Sequence, residues 1–188
     1  MKVIDLGLAG VKLLTPRRFE DERGHFSETY SRRAMADCGI DDLSIQQNLS
    51  FSREAGTLRG LHYQRAPMAQ SKLVRVVRGR IFDVAVDVRP GSNSYGRYVG
   101  VELSAESGTQ IYIPKGCLHG FLTLESATEV SYQVDAYYSP ADEGSVRFDD
   151  PDIGIAWPFA DHGLDPARVI LSGKDRVAPR LRDSALGF

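Results

Sequence analysis

The sequence predicts an all-β fold: a jelly-roll barrel or two-sheet sandwich with a few short helices. Three observations point there. Helical periodicity is scarce, short stretches alternate apolar and polar residues with a period of two, and Gly, Pro and Asn clusters punctuate them. Many short strands separated by such turns suit two packed sheets closing over a pocket.

The one helical candidate is Ser31–Cys38 (SRRAMADC), with Ser31 as N-cap and Gly39 as terminator. Lys72–Val77 reads as a strand. In Phe82–Val88, the residues Phe82, Val84, Val86 and Val88 share one face, and Asp83, Ala85 and Asp87 share the other. That pattern predicts a half-buried strand, and Gly79 between the two stretches predicts a hairpin. Pro90–Asn93 is a turn cluster. Tyr98–Leu103 alternates again, Gln110–Ile113 is a short strand stopped by Pro114, and Phe121–Leu124 and Glu129–Tyr138 follow. From Asp149 to Phe188 the pattern dissolves, and this stretch is expected to pack over the barrel as an irregular segment of a single domain spanning 1–188.

A chain of 188 residues with 42% hydrophobic and 26% charged residues has ordinary globular usage. A net charge of −2 gives no basic surplus that would suggest a nucleic-acid partner. No apolar run is long enough to cross a membrane as a helix. Two cysteines, Cys38 and Cys117, do not make a disulfide framework, so a reduced cytoplasmic protein is expected. The sequence contains no GxG, no Walker spacing around Gly173-Lys174, no GxSxG and no CxxC.

The segment Gly108–His119 (GTQIYIPKGCLH) resembles the second half of the cupin signature. Metal-binding cupins carry an HxH pair and a glutamate in the first half. Here the first-half histidine is His62, its partner position is Gln64, and the following candidates are Ala69 and Gln70. Two histidines without a third protein ligand make a poor metal site, so a metal-free and cofactor-free protein is expected.

A more specific resemblance covers nearly the whole chain. DERGHFSE (21–28), QQNLSFS (46–52), LRGLHYQ (58–64), AQSKLVRVVRG (69–79), FDVAVDVR (82–89), IPKGCLHGF (113–121), YYSPADEG (137–144), DPDIGIAWP (150–158) and LSGKD (171–175) occur in order. Together they resemble the dTDP-4-dehydrorhamnose 3,5-epimerase family of cupin-type enzymes. Gln47, and Cys117-Leu118 before the histidine, depart from the usual family pattern.

Epimerisation beside a ketone needs a base, a group for the enolate oxygen and an acid on the opposite face. In a 4-keto sugar both C3 and C5 are α to the carbonyl, so one site can serve both. An imidazole titrates close to working pH, which suits His62 as base; on the residues alone a core histidine is an equal reading, and the resemblance favours the base. The resemblance also pairs His62 with Asp175, whose carboxylate would fix the tautomer and stabilise the imidazolium. Tyr132 is the candidate acid. The parity Val130, Tyr132, Val134, Ala136, Tyr138 puts Tyr132 and Tyr138 on one face of an unbroken strand, roughly 20 Å apart, with Tyr138 free to stack on a base.

Lys72 is the candidate for the enolate oxygen, by resemblance. Arg23, Arg59, His119 and Lys174 are the candidates for the diphosphate. Arg59 differs from His62 by three positions, so it can share a face only if the chain bends at Gly60, and a bend is expected. Glu28, Gln46, Gln47, Asn48 and Glu143 are the polar residues that the family uses for substrate contacts.

The resemblance implies a homodimer with a dTDP-linked sugar as substrate, with Arg23 and Glu28 acting across the interface. The alternatives are a sibling that inverts one carbon or takes another 4-keto nucleotide sugar, and a non-catalytic cupin that only binds a sugar nucleotide.

Overall fold

The structure is a computed structural model and describes residues 1–8, 10–41 and 44–188. Among these, the strands are β1 (Lys2–Asp5), β2 (Lys12–Thr15), β3 (Phe19–Asp21), β4 (Gly24–Phe26), β5 (Gln46–Ser52), β6 (Leu58–Gln64), β7 (Lys72–Arg78), β8 (Arg80–Asp87), β9 (Tyr98–Ser104), β10 (Gln110–Ile113), β11 (Cys117–Thr123), β12 (Thr128–Val134) and β13 (Glu143–Ser145). Two short α-helices, α1 (Arg32–Asp37) and α2 (Gly173–Arg176), accompany them. No helix among the described residues is long and apolar enough to cross a membrane.

Strands β1-β2-β10-β7-β12-β5 form one antiparallel sheet and β13-β6-β11-β8-β9 a second, while β3 and β4 pair by themselves. The sheets face each other across a core to which both contribute: Val74, Val76, Ile111 and Val130 from the first, Ile81, Ala85, Leu103 and Phe121 from the second. This is the all-β jelly roll that the turn-punctuated alternation predicts, of the cupin type that the resemblance implies.

The helix lies where the sequence puts it. The Ser31 hydroxyl accepts from the Ala34 N–H at 3.2 Å, and Gly39 exits at φ +70°. Its Met35 packs with Leu14, Ile40 and Leu73 on the outer face of the first sheet.

Four strand readings need correction. First, β7 and β8 do not form a hairpin: they belong to different sheets, and Gly79 turns the chain between them. Gly79 has φ +81°, and a Cβ there would stand 2.4 Å from Thr128 Oγ1, so the corner requires glycine. Second, β8 is buried on both faces. Ile81 and Ala85 face the inter-sheet core, while Val84 and Val86 pack beneath Ile153, Trp157, Leu181 and Phe188 of the C-terminal segment. Alternation signals two different environments but does not say that one of them is water. Third, β12 ends at Val134, so Tyr132 and Tyr138 do not share one unbroken strand and the 20 Å argument falls. The chain bends at Asp135, whose Oδ1 accepts from the Ser71 N–H at 2.7 Å and whose Oδ2 pairs with Lys115 Nζ at 2.7 Å. Finally, β11 starts at Cys117, four residues before the expected strand, which brings His119 into the sheet.

Candidate active site

The two sheets leave a cavity of about 770 Å³ between them. One wall comes from β6 and β11 and carries Arg59, His62, His119 and Phe121. The facing wall comes from β5, β7 and β12 and carries Gln46, Asn48, Lys72 and Tyr132. The C-terminal segment closes one side with Ser172, Lys174 and Asp175, and Tyr138 and Glu143 stand beside it.

His62 and Arg59 share a wall because β6 carries a bulge. His62 pairs with His119, but Arg59 pairs with Phe121, so three steps on β6 oppose two on β11. The extra residue flips Arg59 to the face of His62. Gly60 makes this possible: it has φ +127°, and a Cβ would meet Gly120 Cα at 2.6 Å and the His119 carbonyl oxygen at 2.8 Å. Arg59 is then held by its own chain, donating from Nε to Ser52 Oγ at 3.2 Å and from Nη2 to the Phe51 carbonyl at 3.0 Å.

Asp175 arrives from the far end of the sequence. The segment carrying it is tied to the start of β6: Leu58 N–H donates to the Ile170 carbonyl, and Ile170 N–H donates to Gly56, both at 2.9 Å. One residue pair on, Ser172 caps α2 by accepting from the Asp175 N–H at 3.1 Å. That turn delivers the carboxylate to His62, with Nε2 to Oδ1 at 2.6 Å. Asp175 is 4% exposed, so its reading as a surface loop acid is excluded. Burial pushes its carboxyl up, but the bonds from His62 and Ser172 outweigh burial and hold it below the ordinary value. The other ring nitrogen of His62 faces no hydrogen-bond partner among the described residues.

On the facing wall, burial pushes the Tyr132 phenol above its ordinary value, with Arg59 opposing and Glu143 adding to the shift. It therefore stays protonated at neutral pH. Burial pulls the Lys72 ammonium down to about 8, against Asp135 and Glu143, which both hold it up. Lys72 Nζ donates to Gln70 Oε1 at 2.8 Å.

At the mouth, Glu143 bridges two elements. Its Oε1 takes a short bond from Lys174 Nζ, and its Oε2 accepts from Tyr138 Oη at 3.1 Å. Burial raises its carboxyl, but Lys174, Tyr138 and His62 together outweigh burial and the net shift is downward. Tyr138 is 54% exposed and presents its ring at the opening.

Not every residue singled out in the sequence reaches this cavity. In β5 only alternate residues do: Gln46 and Asn48 line it, whereas Gln47 lies on the other face and donates to Ser131 Oγ at 3.1 Å. Arg23 sits in the turn between β3 and β4, paired with Asp21 Oδ2 at 2.6 Å, and Glu28 accepts from Ser31 Oγ at 3.0 Å; neither lines the cavity of its own chain. His119 does line it, but its Nε2 is held 2.9 Å from Oδ2 of the fully buried Asp83. Burial raises the Asp83 carboxyl despite His119. Asp83 and Ser172 were not picked out from the sequence as site residues. The acidic face of the Phe82–Val88 stretch was the signal for the first, and a serine three residues before Asp175 was the signal for the second.

Gln64, at the partner position of a metal cupin, is only 4% exposed and fully engaged. Its Nε2 donates to the Met68 and Tyr137 carbonyls and its Oε1 accepts from Ser139 N–H. No group of three or more His, Cys, Asp or Glu among the described residues is placed to hold a metal ion.

Comparisons with known proteins place the chain in one family. The family model described as dTDP-4-dehydrorhamnose 3,5-epimerase matches residues 5–183. A curated relative of that name from Sinorhizobium fredii is 46% identical over 187 residues, covering 97% of this chain and 91% of its own. A crystal structure of the Bacillus anthracis epimerase, with TDP and PPi bound, superposes with a TM-score of 0.90 at 43% identity, covering 96% of this chain and 99% of that one. The Legionella pneumophila epimerase, in complex with dTDP-4-keto-L-rhamnose, gives a TM-score of 0.89 at 41% identity, covering 96% and 93%. Matched almost end to end in both sequence and fold, the chain belongs to the dTDP-4-dehydrorhamnose 3,5-epimerase family.

Proposed function

We propose that the protein converts dTDP-4-dehydro-6-deoxy-D-glucose to dTDP-4-dehydro-L-rhamnose by inverting C3 and C5. The observation that carries this reading is the opposition of two walls: the His62–Asp175 pair on one and Tyr132 with Lys72 on the other. A sugar ring lying between them has a base on one face and a protonated phenol on the other.

His62 takes the proton from the carbon next to the ketone, and the buried Asp175 carboxylate stabilises the imidazolium that results. The electrons move to the C4 oxygen, where the Lys72 ammonium meets the developing charge in a partly desolvated setting. Tyr132 returns a proton to the carbon from the opposite face, inverting it. Exchange with solvent then takes the proton from His62 and returns one to Tyr132, and the same groups act at the other α-carbon, because both carbons flank one carbonyl oxygen.

Arg59 and Lys174 take the diphosphate, Tyr138 stacks on the base, and Gln46, Asn48 and Glu143 contact the nucleoside and sugar. His119, held by Asp83, adds a polar edge beside His62. A homodimer supplies Arg23 and Glu28 across its interface. Support for it comes from the exposed hairpin, whose Phe19 and Phe26 are 51% and 71% exposed, and from the edge strand β5, which presents Leu49 and Phe51 outward. The free thiols of Cys38 and Cys117 fit a reducing compartment, the cytoplasm.

The test is proton NMR of the 4-keto-6-deoxy nucleotide sugar in deuterated water with catalytic enzyme. The C3 and C5 signals are expected to disappear together as product forms. Exchange at one carbon alone would reassign the protein to a single-centre epimerase, and no exchange would overturn the catalytic reading.

A further inference from the structure

Lys72 projects into the cavity on a flexible four-carbon stem, and such a side chain is a poorly aimed point charge unless something holds it. The hydrogen-bond pattern around it shows what does. Gln70 lines the cavity two residues earlier, with both ends of its amide in use. Its Nε2 donates to the Ala136 carbonyl at 2.8 Å, and its Oε1 accepts from Lys72 Nζ at 2.8 Å.

These two partners fix the amide's orientation. The reverse rotamer would set its NH2 against an ammonium and its oxygen against a carbonyl, which no hydrogen bond permits. The anchor is itself rigid: Ala136 follows Asp135, whose side chain binds the Ser71 N–H and Lys115. The stretch leaving β12 is thus bolted to the stretch entering β7 at two adjacent points.

We propose that Gln70 is a positioning residue for the enolate-stabilising ammonium, holding Lys72 Nζ between a neutral acceptor and the substrate's C4 oxygen. The inference rests on the reading of Lys72 given above. The acceptor's neutrality is part of the argument. An ammonium has three N–H groups; one given to Gln70 leaves two for the substrate. A carboxylate at this position would hold Nζ as well but would neutralise the charge on which the stabilisation depends.

The experiment is a double-mutant cycle on kcat, using Gln70→Ala, Lys72→Ala and the double variant, with dTDP-4-dehydro-6-deoxyglucose as substrate. Thermal unfolding and dTDP binding serve as controls for the fold. Gln70→Ala is expected to lower kcat by about 10–100-fold with KM changed less than threefold, yet to cost under twofold when Lys72 is already alanine. Gln70→Glu should be no better than Gln70→Ala. Equal costs of Gln70→Ala in both backgrounds, a loss confined to KM, or a fully active Gln70→Glu would each overturn the positioning role. A Lys72→Ala enzyme with normal kcat would instead remove the reading of Lys72, whatever Gln70 does.

Discussion

His62 and His119 stand directly opposite each other on neighbouring antiparallel strands, yet each is engaged by a different acid. His62 pairs with Asp175, delivered by the C-terminal segment, at 2.6 Å; His119 pairs with Asp83, from the next strand of its own sheet, at 2.9 Å. The two carboxyls are pushed in opposite directions. Asp175 lies below its ordinary value and is a firm anion, while burial raises Asp83. Of the two pairs, only His62–Asp175 has its histidine side chain partly open to the cavity, at 33% exposure against 9% for His119.

His62→Ala is expected to lower turnover by about 10²–10⁴-fold with the fold retained, since the ring sits in an open cavity rather than in the packed core. Asp175→Asn should cost less, about 10²-fold, because geometry survives while the charge is lost. The same substitution should register in stability. A depressed carboxyl contributes stability above its unfolded value near 3.8 and loses it as pH falls through the folded value. Unfolding midpoints measured from pH 6 down to 3 should therefore fall less steeply in Asp175→Asn than in the parent protein.

Tyr132→Phe should separate two events that the parent enzyme couples. Proton removal by His62 needs no phenol, so deuterium should still enter C3 and C5 from solvent. Inversion requires delivery from the other face, so epimerised product should fall by about 10²-fold or more. NMR following label and configuration together checks this; parallel loss of both would mean that Tyr132 also matters for proton removal.

Lys72 titrates near 8, so turnover should decline above that pH as the ammonium is lost. Lys72→Arg, which stays charged, should remove this alkaline limb at a lower maximal rate. The linkage has the same sign as that of Asp175, since folding lowers both groups. Between about 8 and the ordinary 10.5 the unfolded chain holds a proton that the folded chain does not, so stability rises with pH across that window. Below it the buried charge is a cost, and Lys72→Met should stabilise the protein at pH 7. Lys72 is half-buried as a residue and its ammonium has a partner in Gln70, so the gain is on the order of 1 kcal/mol.

Gly60→Ala should be among the most damaging small substitutions in the chain. Its Cβ would sit 2.6 Å from Gly120 Cα at φ +127°, with backbone and not a flexible side chain in the way. A loss of more than about 2 kcal/mol in chemical denaturation is expected, together with weaker dTDP binding as Arg59 leaves the cavity. Gly91→Ala, where nothing lies within 4 Å, is the matching control for a positive-φ glycine in open space.

Much of this architecture was legible in the sequence because period-two alternation and turn residues act locally. The helix from Ser31, the strand Gln110–Ile113 and the turn at Pro90 are of this kind. Sheet membership was not legible. Lys72–Arg78 and Arg80–Asp87 flank a glycine just as a hairpin would, and only the facing sheet decides that they part. Burial of both faces of β8 was equally hidden, because the residues that cover it lie about seventy to one hundred positions later and show no pattern of their own. In the site, alternation separates Gln46 and Asn48 from Gln47, a distinction that the motif QQN invites one to miss. Parity also foretold that Arg59 needed a bend, since an odd separation cannot keep two side chains on one face without one. The partner of His119 stayed unseen, because an aspartate on an alternating strand ordinarily marks the solvent side.

The tie between Ile170 and the start of β6 has a consequence for how the enzyme comes into being. Of the residues that line the cavity, all but those near Asp175 belong to the barrel. A barrel that has closed but not yet docked its C-terminal segment would carry His62 without its acid. Such an intermediate could admit a nucleotide sugar and hold it without turning it over efficiently. Catalytic competence therefore reports that the last stretch of chain has docked.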